Sequence, residues 1–185
     1  MDKSNCHFSL LLLLFCLFSC SPKPMPNNPP APAEEAVVVS NEPAPTPGGP
    51  NAEILAAVNA LRQSGCTCGD GQRMPSVPPL QWNSKLESAA RRHSNDMAKN
   101  SHFDHQGTDR STMDKRASEA GYRWATVAEN IAVSTPTIPE VVEQWRKSTH
   151  GHCQNMMGKE YTEMGAAWQE GPEGRYWTLV LASPL

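Results

Sequence analysis

The sequence predicts an α+β domain, with helices packed on a small antiparallel sheet. Two observations carry this. Apolar residues recur at helical spacing from Ala52 to about Lys147, and beyond Tyr161 the pattern changes to short β-branched and aromatic runs around a Gly-Pro-Glu-Gly turn. A third observation sets the boundary. Ten of the seventeen prolines lie between Ser21 and Pro50, where Val37–Val39 is the one cluster of large apolar residues. Such a stretch cannot bury enough surface to offset its ordering entropy. The foldable part is therefore 51–185, long enough for a real core.

The elements follow in order. Residues 52–63 carry Ile54, Leu55, Val58 and Leu61 on one stripe, with Asn51 as cap and Gly65 just past the end. Residues 66–79 are rich in Gly and Pro and read as a loop. Asn83 caps a second helix with Leu86, Ala89, Ala90, His93 and Met97 on one face. A third helix is expected over 111–120, stopped by Gly121. The fourth runs from Pro139 to about Lys147, Pro sitting in the first turn where its missing N–H is harmless, with Ile138, Val141, Val142 and Trp145 inward. Thr162–Trp168 and Arg175–Ala182 form a β-hairpin.

The N-terminus reads as an export signal. Residues 8–18 are apolar or small, with five consecutive leucines from Leu10 to Leu14; the run is shorter than the roughly 20 residues that span a bilayer. It ends Leu17-Phe18-Ser19-Cys20, which resembles the lipobox of bacterial lipoproteins. That resemblance implies a signal peptide over 1–19, diacylglycerol on Cys20, a Pro-rich stalk over 20–50, and a domain held to a membrane of the cell envelope by lipid. An ordinary cleaved signal is the plainer alternative. Removing residues 1–19 takes away one acid and one base, so the formal net charge stays at −3. No basic cluster supports nucleic-acid binding.

With Cys6 and Cys16 in the signal and Cys20 lipidated, three cysteines remain: Cys66, Cys68 and Cys153. In an oxidising compartment they allow one disulfide and one leftover thiol. A zinc site made of all three is the sharper alternative, although C-x-C is a poor zinc spacing beside C-x-x-C.

Several segments then fall into one pattern. Leu80-Gln81-Trp82-Asn83 precedes His93-Ser94-Asn95-Asp96-Met97-Ala98, followed by Phe103-Asp104-His105, Ala120-Gly121-Tyr122 and Ala128-Glu129-Asn130-Ile131-Ala132. Val142-Glu143-Gln144-Trp145, Gly151-His152-Cys153-Gln154-Asn155-Met156-Met157, Tyr161-Thr162-Glu163-Met164-Gly165 and Tyr176-Trp177-Thr178 complete it. The ordered set, from about Asn51 to Ser183, resembles the CAP superfamily of cysteine-rich secretory, antigen 5 and pathogenesis-related proteins, in its bacterial SCP-like extracellular branch. The resemblance implies a three-layer α-β-α sandwich with a shallow cleft lined by two histidines and two acids. Carried over by position, these are His105, Glu129 and His152, with Glu163 as fourth member. Animal and plant relatives place an acid where this chain has Ser148. Bacterial relatives also imply a Cys68–Cys153 disulfide, leaving Cys66 free.

The chemistry of this set is that of a divalent-cation site. Two imidazoles, His105 and His152, are good ligands for Zn²⁺, and a carboxylate can ligate or orient one of them. The same groups suit general acid–base work, but no G-x-S-x-G or similar motif supplies a nucleophile. Three functions follow: a binding module for a cation with a lipid or cell-wall ligand such as peptidoglycan, a metal-assisted peptidase or amidase, or an adhesive surface protein. His93 on its apolar stripe reads as a core histidine, and His102 and His150 as surface residues. Trp82, Trp145 and Trp177 read as core pieces.

Overall fold

The computed structural model describes residues 47–185; the expected signal peptide over 1–19, Cys20 and the expected stalk as far as residue 46 lie outside the described residues. Helix α1 (Gly49–Ser64) leads into a two-rung ladder of β1 (Cys66–Thr67) and β2 (Arg73–Met74), then β3 (Gln81–Trp82). Next come α2 (Ser84–Asn100), α3 (Met113–Glu119), β4 (Trp124–Ala132), α4 (Ile138–Lys147) and α5 (His152–Met157). The long hairpin of β5 (Glu163–Gly171) and β6 (Gly174–Pro184) closes the chain.

The main sheet has the order β3-β5-β6-β4. Three of its strands are antiparallel, as expected, but β3 joins parallel to β5, Gln81 opposite Glu163 and Trp82 opposite Met164. Such a rung needs a long crossover, which α2, α3, β4, α4 and α5 supply. Strand β6 lies between β4 and β5 and is covered on both faces. Trp177, Leu179 and Leu181 pack with Val58, Val141 and Trp145 of α1 and α4; Val180 and Ala182 pack with Leu86 and Ala90 of α2 and Ala117 of α3. That alternation makes the three layers. Each large side chain so buried contributes about 1.5–3 kcal/mol.

Two positions let the layers approach. A Cβ at Gly165 would lie 2.1 Å from the backbone nitrogen of Glu87, so only glycine allows α2 to settle on β5. Gly69 has the same part against the end of α4, where a Cβ would meet the Lys147 carbonyl at 1.9 Å.

The helices end where local chemistry dictates. Asn83 caps α2, its Oδ1 accepting from Lys85 N at 2.9 Å and from Leu86 N at 3.4 Å. Thr137 and Glu140 form a reciprocal capping box on α4. The first helix begins at Gly49 with Pro50 in its first turn, ahead of the expected cap at Asn51; Pro is pre-organised for that turn. No described helix is long and apolar enough to cross a membrane.

Candidate functional site

Strand β4 is an outer strand of the sheet, and its alternation builds the site. Glu129 and Asn130 are neighbours, so their side chains leave opposite faces. Glu129 stands opposite Val180, on the α2–α3 side; Asn130 stands opposite Leu179, on the α1–α4 side. Each anchors a segment carrying one of the two cleft histidines.

On the first side the Glu129 carboxylate is fully buried. Its Oε2 accepts from Arg116 Nη2 at 2.7 Å, and its Oε1 lies 2.9 Å from His105 Nδ1. Arg116, itself 1% exposed, also donates to the His105 carbonyl at 3.1 Å and the Ser111 carbonyl at 2.8 Å. One guanidinium therefore fixes both the carboxylate and the loop that carries the imidazole. Asp96 organises the rest of that loop, accepting from Thr108 N at 2.8 Å. A nitrogen facing a carboxylate oxygen at this distance carries its proton, so neutral His105 is the Nδ1–H tautomer and presents the Nε2 lone pair outward.

On the second side Asn130 Nδ2 donates to the His152 carbonyl at 2.9 Å, and Asn130 Oδ1 accepts from Asn155 Nδ2 at 2.9 Å. These bonds hold the first turn of α5 against the sheet. Gly151 at φ +87° makes the turn into that helix, a conformation glycine adopts without strain. His152 Nδ1 lies 2.9 Å from Ser148 Oγ, which also accepts His150 N–H at 3.1 Å. Where animal and plant relatives have an acid, Ser148 thus supplies the group that orients the second imidazole.

The two rings are tuned in opposite senses. The hydrogen bond to Glu129 holds the His105 imidazole above its ordinary pKa. Burial, then the nearby His105 charge, pushes His152 below the ordinary value. His105 keeps 55% of its side chain exposed and lines a cleft of about 630 Å³. The cleft walls include Met113, Val127, Ala128 and Tyr161, so a polar mouth opens on an apolar surface.

Glu163 does not join this set. It pairs with Ala182, which in turn pairs with Val127, so β6 separates it from β4 by two strand spacings, about 9–10 Å. Its carboxylate instead accepts the Tyr122 hydroxyl, beside Asn83 and Lys85. A site acid expected at Glu163 is corrected to a structural partner of Tyr122. Each oxygen of Glu129 is already engaged, Oε2 by Arg116 and Oε1 by His105.

Two imidazoles remain, those of His105 and His152. His105 Nδ1 faces the Glu129 carboxylate, which fixes its tautomer, and His152 Nδ1 faces the Ser148 hydroxyl, which fixes its ring direction; each contact is 2.9 Å. Cys68 and Cys153 are joined by a disulfide, so two of the three sulfurs are committed and Cys66 is a thiol.

Two residues escape the sequence reading. Arg116 lies on a short helix where a charged residue looks solvated; its signal is the need of buried Glu129 for a counter-charge. His93 is a core residue as expected, at 0% exposure, but its Nε2 is 3.7 Å from Glu129 Oε1 and neither ring nitrogen has a hydrogen-bond partner. Burial holds it below its ordinary pKa. His102 and His150 lie apart from the Glu129 cluster: His102 Nε2 meets the Gln106 carbonyl at 2.7 Å, and His150 is exposed.

The three layers and this edge-strand cleft define a protein class. The model of the CAP, or cysteine-rich secretory protein, family matches residues 55–181, and the chain belongs to that family. The uncharacterized protein YkwD of Bacillus subtilis (strain 168) is 33% identical over 102 residues, which are 55% of this chain and 38% of YkwD. The chain thus spans well under half the length of that relative. Among solved structures, an extracellular SCP-domain protein from Bacillus anthracis aligns with a TM-score of 0.59 at 22% identity, covering 72% of this chain and 40% of that one. An outer surface protein from Borrelia burgdorferi gives 0.61 at 13%, covering 72% and 91%. NaASP2, solved with Zn²⁺, gives 0.50 at 18%, covering 74% and 83%.

Proposed function

We propose that this protein is an extracytoplasmic binding module, tethered to a membrane of the cell envelope through lipid on Cys20. Its His105–His152 pair takes a divalent cation, zinc first. The adjoining cleft takes an apolar or mixed ligand, a lipid or a cell-wall component. One observation carries the reading: both imidazoles have Nδ1 occupied by an orienting oxygen and Nε2 unengaged. The Zn²⁺ in the NaASP2 structure and the extracellular or outer-surface descriptions of the fold neighbours support it. Two protein nitrogens leave the cation open to water or ligand, so binding is reversible and the fold does not depend on it. A bound cation supplies Lewis acidity; the chain supplies orientation through Glu129 and Ser148.

Titration calorimetry with zinc at neutral pH tests this. Wild type should bind one equivalent, and the His105→Ala, His152→Ala double variant should lose that binding while remaining folded. Equal binding by both proteins would refute the site. The tether is tested separately by detergent partitioning: wild type should enter the detergent phase, and Cys20→Ser should be left unprocessed or be released from the membrane. A wild type confined to the aqueous phase removes the lipid anchor.

A further inference from the structure

We propose that Cys66, Cys68 and Cys153 form an internal thiol–disulfide exchange site, in which Cys66 and Cys68 compete for the same partner, Cys153. The observation is a cluster of three sulfurs. Cys68 and Cys153 are bridged and buried, at 4% and 0% exposure. The Cys66 thiol is half-buried beside them, its Sγ 3.7 Å from the Sγ of Cys153, and all three sulfurs lie within 4.8 Å of one another. That distance is van der Waals contact between a nucleophile and one sulfur of a disulfide, and it picks out Cys153 as the atom attacked.

The step balances without an outside reagent. The Cys66 thiolate places its electron pair on Cys153 Sγ and forms a Cys66–Cys153 bond. The Cys68–Cys153 bond breaks, and Cys68 leaves as thiolate and takes up the proton that Cys66 lost. One thiol and one disulfide remain, with no net oxidation.

The two forms are not equivalent to the surroundings. In the first, the free thiol is at Cys66, on the wall of a surface depression of about 460 Å³ shared with Gly65, Arg73 and Met74. In the second it is at Cys68, a buried position. The exchange also changes what restrains α5, whose first residue is His152. In the first form α5 is tied to Cys68, whose neighbour Gly69 is pinned to the end of α4 by a 3.1 Å bond to the Arg146 carbonyl. In the second form the covalent tie runs to β1, and the 68–72 loop reaches α5 only through the hydrogen bonds that Gln154 donates to Asp70 and Gln72, at 2.8 and 3.0 Å.

Peptide mapping of the exported full chain decides the matter. The wild type is held near pH ~8.5, where an ordinary thiol is half ionised and the Cys66 thiol, raised by burial, is ionised in smaller part. Its free thiol is then capped with N-ethylmaleimide at mildly acidic pH, and the protein is digested with pepsin without reduction. Fragmentation of the linked peptide shows whether Cys66 or Cys68 carries the label. Both Cys68–Cys153 and Cys66–Cys153 peptides should appear, in a ratio independent of protein concentration, and Cys66→Ser should give only the first. The Cys68→Ser variant should form the Cys66–Cys153 bridge. A wild type holding only Cys68–Cys153 after prolonged incubation overturns the proposal. So does a ratio that rises with concentration, which makes the exchange intermolecular, or a folded Cys68→Ser protein with both cysteines free after oxidation.

Discussion

Glu129 and Asn130 are adjacent on one edge strand and act on opposite faces of it: Glu129 holds the His105 ring from the α2–α3 side, and Asn130 holds the His152 backbone from the α1–α4 side. One peptide unit thus bears on the segments that carry both histidines. A change at either residue should disturb one histidine and spare the other, which makes the two roles separable by mutation.

For Glu129→Gln, the charge that balances Arg116 is lost while the side-chain shape is kept. An unpaired buried guanidinium costs about 3–5 kcal/mol, so the denaturant midpoint should fall by an equivalent amount. The same change removes the principal cause of the raised His105 pKa. Its proton resonances should then titrate at lower pH than in wild type. An unchanged His105 titration would disprove the orienting role of the carboxylate.

Zinc affinity should depend on pH in a particular way. An imidazole must lose its proton to ligate. His152, held below the ordinary value of ~6.5, is already neutral at neutral pH, whereas His105 is held above it. Affinity should therefore be full in mildly alkaline solution and decline as pH falls through the raised His105 value. The proton released on zinc binding near neutrality should come from His105 alone, so that no more than one leaves per zinc bound. Calorimetry in buffers of different ionisation enthalpy counts those protons; a count of two would mean that His152 also titrates there.

Asn130→Ala removes the donor to the His152 carbonyl and the acceptor for Asn155. Leaving such part-buried groups unpaired costs about 1–3 kcal/mol each. Zinc should bind more weakly because α5 loses its anchor, although neither ligand is altered. The His105 titration should stay at its wild-type position, since Glu129 faces the other layer. A shifted His105 would show that the two faces are coupled through the strand.

How much of the fold is legible in the sequence follows from how each element is stabilised. Helices α2 and α4 show an uninterrupted apolar stripe facing the sheet, and both are readable, as is the terminal hairpin with its Gly-Pro-Glu-Gly turn. Strand β4 is not readable as a strand, because Glu129 and Asn130 place a buried acid and a buried amide where alternation would demand apolar residues. Those two residues are paired by groups distant in sequence, Arg116 and the His152 carbonyl. Helix α5 has six residues and owes its place to the Asn130 clamp and the disulfide rather than to periodicity. The two-residue strands β1, β2 and β3 are too short for a pattern of their own. The histidines emerge through the ordered resemblance to a family; Glu163 is misplaced by it because sequence order does not reveal that β6 intervenes between β5 and β4.

Strand β6 also governs how the molecule comes apart. Leu179 and Leu181 belong to one apolar cluster and Val180 and Ala182 to the other, so neither helical layer owns a complete core. Peeling away α2 and α3 would bare half of the strand on which α1 and α4 depend, and the reverse holds equally. The two halves are thereby bound into one cooperative unit, without a subdomain that could open alone. Amide protons along β6 should exchange only through global unfolding, and the His105 and His152 environments should be lost together in that same transition rather than in succession.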